Sequence, residues 1–234
     1  MEKNQAKKKS RRNEAPRIIR SQGIPCVVWG EDALAYYGVR IVVFELFVLV
    51  VDVDAANQCL EEAGYATEPP PEWEPLPEMM VGSKRLLQPP APGSCQDPAR
   101  PSARAIVVLL PASRWNYNLP PVGTHPDKWV SESFPFPPLP ALVDCIIDVW
   151  LDSPGGLYFT SIMGCYLAYL HHYVDRVHTP SFANELHPAH RELHLRYLVQ
   201  PIRGRHRLEW RHWRDAMLKG SSLQGPMPEL PGLR

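Results

Sequence analysis

The chain has 234 residues, 44% of them hydrophobic and 21% charged, and its 25 basic and 25 acidic side chains balance to zero. That composition suits one domain with appendages or two small ones, and it excludes a chain too polar to bury a core. The five cysteines are odd in number and form no C-x-x-C pair, which points away from a disulfide framework and towards reduced thiols in a cytoplasmic or nuclear protein. The zero net charge hides an uneven distribution. Met1 to Arg20 is basic, Ser21 to Met80 is acidic with Arg40 as its one Lys or Arg, and Arg191 to Lys219 is basic again. Opposite charges could meet within the fold or on a partner.

Residues 1–16 read as a basic tail, in which "KKKSRR" (Lys7 to Arg12) is either a nuclear address or a solvated run. "IPCVVWG" (Ile24 to Gly30) is a short apolar run ending at glycine, hence a buried strand. "EDALAYYG" has helix formers with Gly38 as a stop. "VRIVVFELFVLVV" is β-branched and apolar on both faces, which predicts a central strand over Val42 to Leu49. Asp54 is expected to cap the next helix, with Ala56, Cys59, Leu60 and Ala63 on its inner face and Gly64 at its end. Residues 66–103 are rich in proline and glutamate. They are expected to form an extended insertion with at most a short strand around "SKRLL". "RAIVVLLP" (Arg104 to Pro111) reads as a further buried strand. Ser113 to Pro140 is again broken by proline and carries exposed-looking aromatics, Trp115, Tyr117, Trp129, Phe134 and Phe136.

Residues 141–219 read as helical and 220–234 as a flexible tail. "PALVDCIIDVWLD" turns Leu142, Ile146, Val149 and Trp150 inward and lays Asp144, Asp148 and Asp152 along an outer stripe. Ser153 to Val174 is uncharged and long enough to span a membrane, but Thr160, Ser161 and the pair His171–His172 make a buried core helix the better reading. Two shorter helices follow, "HPAHRELHLRYLV" and "RLEWRHWRDAMLKG", the second with Trp210, Trp213 and Met217 on one side. The fold class is therefore α/β (α+β): a small mixed sheet with packed helices, then a helical C-terminal region.

"GIPCVVWGEDALAYYGV", "VVFELFVLV" and the Asp54 to Gly64 helix resemble the nucleotidyltransferase fold, the polymerase β-like superfamily. The likeness is strongest to diverged nucleotidyltransferase-like proteins common in filamentous fungi. It covers about Arg17 to Tyr65 and extends loosely beyond. In that superfamily a glycine motif begins a helix, and the next strand bears an acid–hydrophobic–acid triplet. Side chains two apart on a strand share a face, so the two carboxylates can jointly hold Mg²⁺, which clamps nucleotide phosphates. Carried over, Glu45 matches the first acid, Phe47 stands at the second, and "RAIVVLLP" supplies no third. Gly30 matches the motif glycine as a nucleotide-binding position, but Glu31 follows it and would repel a triphosphate. The resemblance thus implies the enzyme's scaffold without its metal site: a catalytically inactive accessory or interaction protein needing no cofactor. An active enzyme would use Glu45 with Mg²⁺.

Other constellations have plainer accounts. Asp52 and Asp54 could form a shifted metal pair, but a strand-end residue and a helix cap explain them. His190 and His194 could share a zinc, yet "HRELH" fits neither the H-E-x-x-H nor the H-x-x-E-H pattern, so a solvated face is expected. His171 and His172 end an apolar helix, where they favour its dipole or form ordinary hydrogen bonds, a ligand-pocket role being the second reading. Arg203, Arg205, Arg207, Arg211 and Arg214 interleave with Trp210 and Trp213. Nucleic-acid binding is one reading. The preferred one packs the tryptophans inward and turns the arginines to the acidic N-terminal half.

Overall fold

The computed structural model of the protein describes residues 11–69, 80–90, 105–119, 136–153, 157–199 and 207–220. The chain divides into two units, residues 1–36 with 40–137, and residues 37–39 with 138–234.

The first unit is a mixed α/β structure. Its elements run α1 (Glu14–Ser21), β1 (Cys26–Trp29), α2 (Gly30–Tyr36), β2 (Leu46–Val50), α3 (Val53–Glu62), β3 (Ala66–Glu68), β4 (Lys84–Leu87) and β5 (Ile106–Pro111), then a 3-10 turn over Ala112–Trp115. The five-stranded sheet has the order β1-β2-β5-β4-β3. Only the central β2–β5 pair is parallel; the others are antiparallel. The three apolar runs read as strands are therefore neighbours, as their need for cover on both faces predicts. On one face Cys26, Val28, Leu46, Val48, Leu86, Val107 and Leu109 pack with Ala15 and Ile19 of α1 and Ala56 and Leu60 of α3. The register places Trp29, Phe47, Val108 and Arg85 in a single row across four strands. Alternation along each strand puts that row on the opposite face. There Trp29 meets Trp115 and Tyr117, each at 5.5 Å between ring centroids.

Several expectations need correction. The central strand begins at Leu46 rather than Val42. Its partner β1 pairs only from Cys26↔Val50 to Trp29↔Phe47, and Gly30 then turns that chain into α2. Earlier residues lack a ladder, and Val42 and Phe44 are 67% and 76% exposed. Asp52, not Asp54, caps α3, its carboxylate accepting the Ala55 N–H at 2.9 Å. Asp54 sits in the first turn and pairs with Lys84 at 3.6 Å, and Ala63 is exposed. The tail ends before Pro16: α1 starts at Glu14 and buries Ala15 and Ile19, with Pro16 in the first turn where its missing N–H costs nothing. The short strand expected around "SKRLL" is β4, and the segment read as an insertion also contributes β3, which pairs with it. Trp115 and Tyr117 are buried, not exposed. Trp129 and Phe134 lie outside the described residues, as do most of the proline-rich stretches, residues 1–10 and residues 221–234.

The second unit is helical: α4 (Leu139–Asp152), α5 (Leu157–Tyr173), a 3-10 turn (Asp175–His178), α6 (Pro180–Glu185), α7 (Pro188–Val199) and α8 (Arg207–Leu218). α4 buries Leu142, Ile146, Val149 and Trp150 as its periodicity predicts. α5 is not buried all round. Met163, Leu167 and Leu170 are buried, while Cys165, Tyr169 and Tyr173 are exposed. Among the described residues no helix is long and apolar enough to cross a membrane. Thr179 caps α6 by accepting the Phe182 N–H at 3.2 Å, and Pro188 opens α7 where a proline is tolerated.

Candidate functional site

Glu45 lies immediately before β2, not within it. Both of its carboxylate oxygens are held by Arg85 of β4, at 3.0 and 2.5 Å. Arg85 is 9% exposed, so its charge relies on this bidentate partner. The Glu45 backbone carbonyl also accepts from Arg12 at 2.8 Å, and Arg12 is bidentate to Asp32 of α2 at 2.7 Å for each bond. The half-buried acid therefore meets an arginine, but one from β4 of the same sheet rather than from the C-terminal helices. Glu45 precedes Phe47 by two residues, and Phe47, Val108 and Arg85 share one row of the sheet.

Gly30 opens α2 at φ +63°, a conformation that favours glycine. The predicted glycine-to-helix turn is present, with Glu31 and Asp32 in its first turn. Phe47 fills the space above it: a Cβ on residue 30 would lie 3.1 Å from the Phe47 ring. The residue at the second-acid position therefore covers the turn instead of opening it to a phosphate. These residues do not fit Mg²⁺. One carboxylate is taken by a guanidinium, and the row of the sheet that carries Arg85 holds Phe47 and Val108, whose side chains have no oxygen to offer. Asp52 is committed as a cap and Asp54 faces Lys84, so they do not form a pair either. Among the described residues no three His, Cys, Asp or Glu side chains are grouped to hold a metal ion.

A second cluster lies within the helical unit, and here the expected solvated faces are wrong. His190 and His194 are 3% and 1% exposed. His190 bridges Asp144 at 2.8 Å and Asp148 at 3.0 Å. Burial pushes its imidazole down, but the two carboxylates outweigh that and raise it to about 9. His190 is thus a buried cation at neutral pH. Arg214 of α8 continues the arrangement, bonding Asp148 at 2.8 Å and Asp152 at 2.6 Å. Burial opposes the charge on Asp148, yet His190 and Arg214 together hold that carboxyl below its usual range. The aspartate stripe is therefore the seam between helices. Trp210 and Trp213 pack inward as predicted, while Met217 is exposed. Arg214 and Arg211 turn to the aspartates of α4, not to the acidic N-terminal half. Arg207 is buried and donates to the carbonyls of Trp150, Leu151 and Ser153, satisfying the end of α4. His171, in the last turn of α5, makes an ordinary hydrogen bond within the unit, to His194 at 3.2 Å.

The i, i+4 spacing of the aspartates and of His190 with His194 was visible in the sequence. What faced the aspartates and His190 was not, because those partners lie 42 to 66 positions apart in the chain. Arg85 was missed for the same reason: nothing local marks an arginine whose partner is forty residues away. Compared with known proteins, the chain matches no family model, no curated protein and no solved structure.

Proposed function

We propose that the first unit is a diverged nucleotidyltransferase-like scaffold without transfer chemistry, serving as an accessory or interaction protein. The observation that carries this reading is the double occupation of the site: Arg85 grips Glu45, and the Phe47 ring sits against the Gly30 turn. A strand ending in a positive-φ glycine that opens a helix, followed by a strand preceded by an acid, supports the scaffold. Exposed Val42 and Phe44 next to that acid offer apolar contact to another protein. Nucleic-acid binding through the C-terminal helices is less well supported, since Arg207 and Arg214 are spent on internal partners.

The test is incubation of the purified protein with labelled nucleoside triphosphates, Mg²⁺ or Mn²⁺, and RNA, protein or small-alcohol acceptors. No label transfer is expected. Glu45→Gln should cost about 1–3 kcal/mol of stability by leaving the Arg85 charge poorly matched. Transfer by the natural protein that Glu45→Gln abolishes without unfolding would replace this reading with an active enzyme.

A further inference from the structure

"RIVVFE" (Arg40 to Glu45) leads straight into β2 yet belongs to no ladder. β1 has already turned away at Gly30, and the β2–β5 pairing begins only at Leu46↔Val107. Exposure nonetheless alternates along the segment as it does on a strand. Arg40, Val42 and Phe44 are exposed, while Ile41, Val43 and Glu45 are half-buried. Among the described residues no hydrogen bond reaches the backbone of residues 40–43, and Arg40 forms no ion pair. Only the carbonyls of Phe44 and Glu45 are used, both by Arg12. β-branched and aromatic residues suit a pleated surface, and open backbone groups beside them are a template for another strand.

The side chains of the segment complement themselves. Directly opposite residues of an antiparallel pair share a face, so a two-fold axis between identical strands passes through a residue. With Val42 on the axis, Val42 meets Val42 and Arg40 meets Phe44 of the other copy, twice over. On the other face Ile41 meets Val43. The guanidinium then lies against an aromatic ring, a favourable cross-strand pair, and no charge opposes its like. The neighbouring registers are worse. An axis at Val43 would set Ile41 against Glu45, which Arg85 already holds, and Arg40 against Leu46, which is buried and laddered to β5. An axis at Ile41 would set Phe44 against Gly38, whose φ of +96° belongs to a turn rather than a strand.

We infer that residues 40–44 form a strand-to-strand contact with the same residues of a second copy of this chain, antiparallel and with Val42 on the two-fold axis. The pairing rests on the interaction role proposed above and supplies its partner. A foreign strand would satisfy the same backbone groups. What selects a second copy is that the segment itself holds both halves of every cross-strand pair. Five paired residues span about 17 Å. A contact of that length buries far less than the roughly 800 Å² per partner of a stable complex, so the dimer is weak and dissociates on dilution.

Sedimentation velocity of the full chain from about 10 µM to about 1 mM reads the association, which for so small a contact belongs in the upper part of that range. The sedimentation coefficient should rise from the monomer's towards a dimer's. Val42→Lys, at a position 67% exposed, leaves the core alone but opposes two ammonium groups at the axis. It should weaken the association by more than about tenfold. The register is read separately, with single cysteines and a short bis-maleimide. Val42→Cys should couple into a dimer well above the natural chain, whose exposed Cys165 sets the background. Arg40→Cys and Phe44→Cys should stay near that background, because each would lie about 14 Å from its own symmetry mate. A coefficient that does not change with concentration, a Val42→Lys chain that associates as the natural one does, or Val42→Cys coupling no better than the other two would overturn the inference. A monomer would leave the label-transfer result as it stands, and label transfer would leave the dimer as it stands, so the two readings fail separately.

Discussion

Replacing His190 by glutamine removes a buried charge while keeping a polar side chain between Asp144 and Asp148. The folded imidazole titrates at about 9 against an ordinary 6.5. That displacement corresponds to about 3 kcal/mol of stabilisation from the charged form. Its sign follows from the raised value: the contribution is complete below 6.5, falls as pH rises, and is gone above about 9. The aspartates are not orphaned by the change, since Asp144 keeps the His187 N–H and Asp148 keeps Arg214. Urea unfolding of protein and variant from pH 6 to pH 9.5 is therefore expected to give a difference of about 3 kcal/mol at the acid end that closes towards zero at the alkaline end. Should the helical unit unfold separately, its own transition is the one to compare. A difference that stays constant with pH would mean that His190 contributes shape rather than charge, and would refute the argument.

Gly30→Ala should destabilise the first unit by more than about 1 kcal/mol, from positive φ and the 3.1 Å approach to Phe47. In a Phe47→Leu background thermal melts should recover the packing part of that loss and leave the backbone part. Arg207→Met keeps the length of the side chain but leaves the last carbonyls of α4 unsatisfied, with an expected loss of about 2–3 kcal/mol in denaturant titrations. An unchanged midpoint would show that water replaces the guanidinium there.

The legible parts of this chain are those in which the signal is periodic and local. The runs around Val28, Val48 and Val108 announce strands because both of their faces are apolar, and Leu142, Ile146 and Val149 announce the inner stripe of α4. Gly30 and Gly64 mark their turns through backbone freedom alone. Strand ends were harder, because pairing depends on the partner: β2 could not extend to Val42 once β1 stopped at Trp29. Short β3 lacks an apolar run altogether and exists because β4 offers it an edge. Side-chain fates were least legible. "HRELH" reads as a polar surface until Asp144 and Asp148 are brought against it from over forty residues away. Charge identifies a group that needs a partner, and only the tertiary fold says which one it finds.

The aspartates at 144, 148 and 152 stand one helical turn apart, so α4 presents a rack of equal teeth. Equal teeth alone would let a neighbouring helix engage one notch too far, since a shift of about 5.4 Å carries a cation from one carboxylate to the next. His190 prevents this by occupying the gap between the first two. Arg214, seated between the second and third, could move towards the first only by meeting another buried cation, and could move the other way only by surrendering a carboxylate. Two unlike cations on a repeated acidic ruler thereby specify a unique sliding position for α8, a task that apolar packing along a smooth helix would do less sharply.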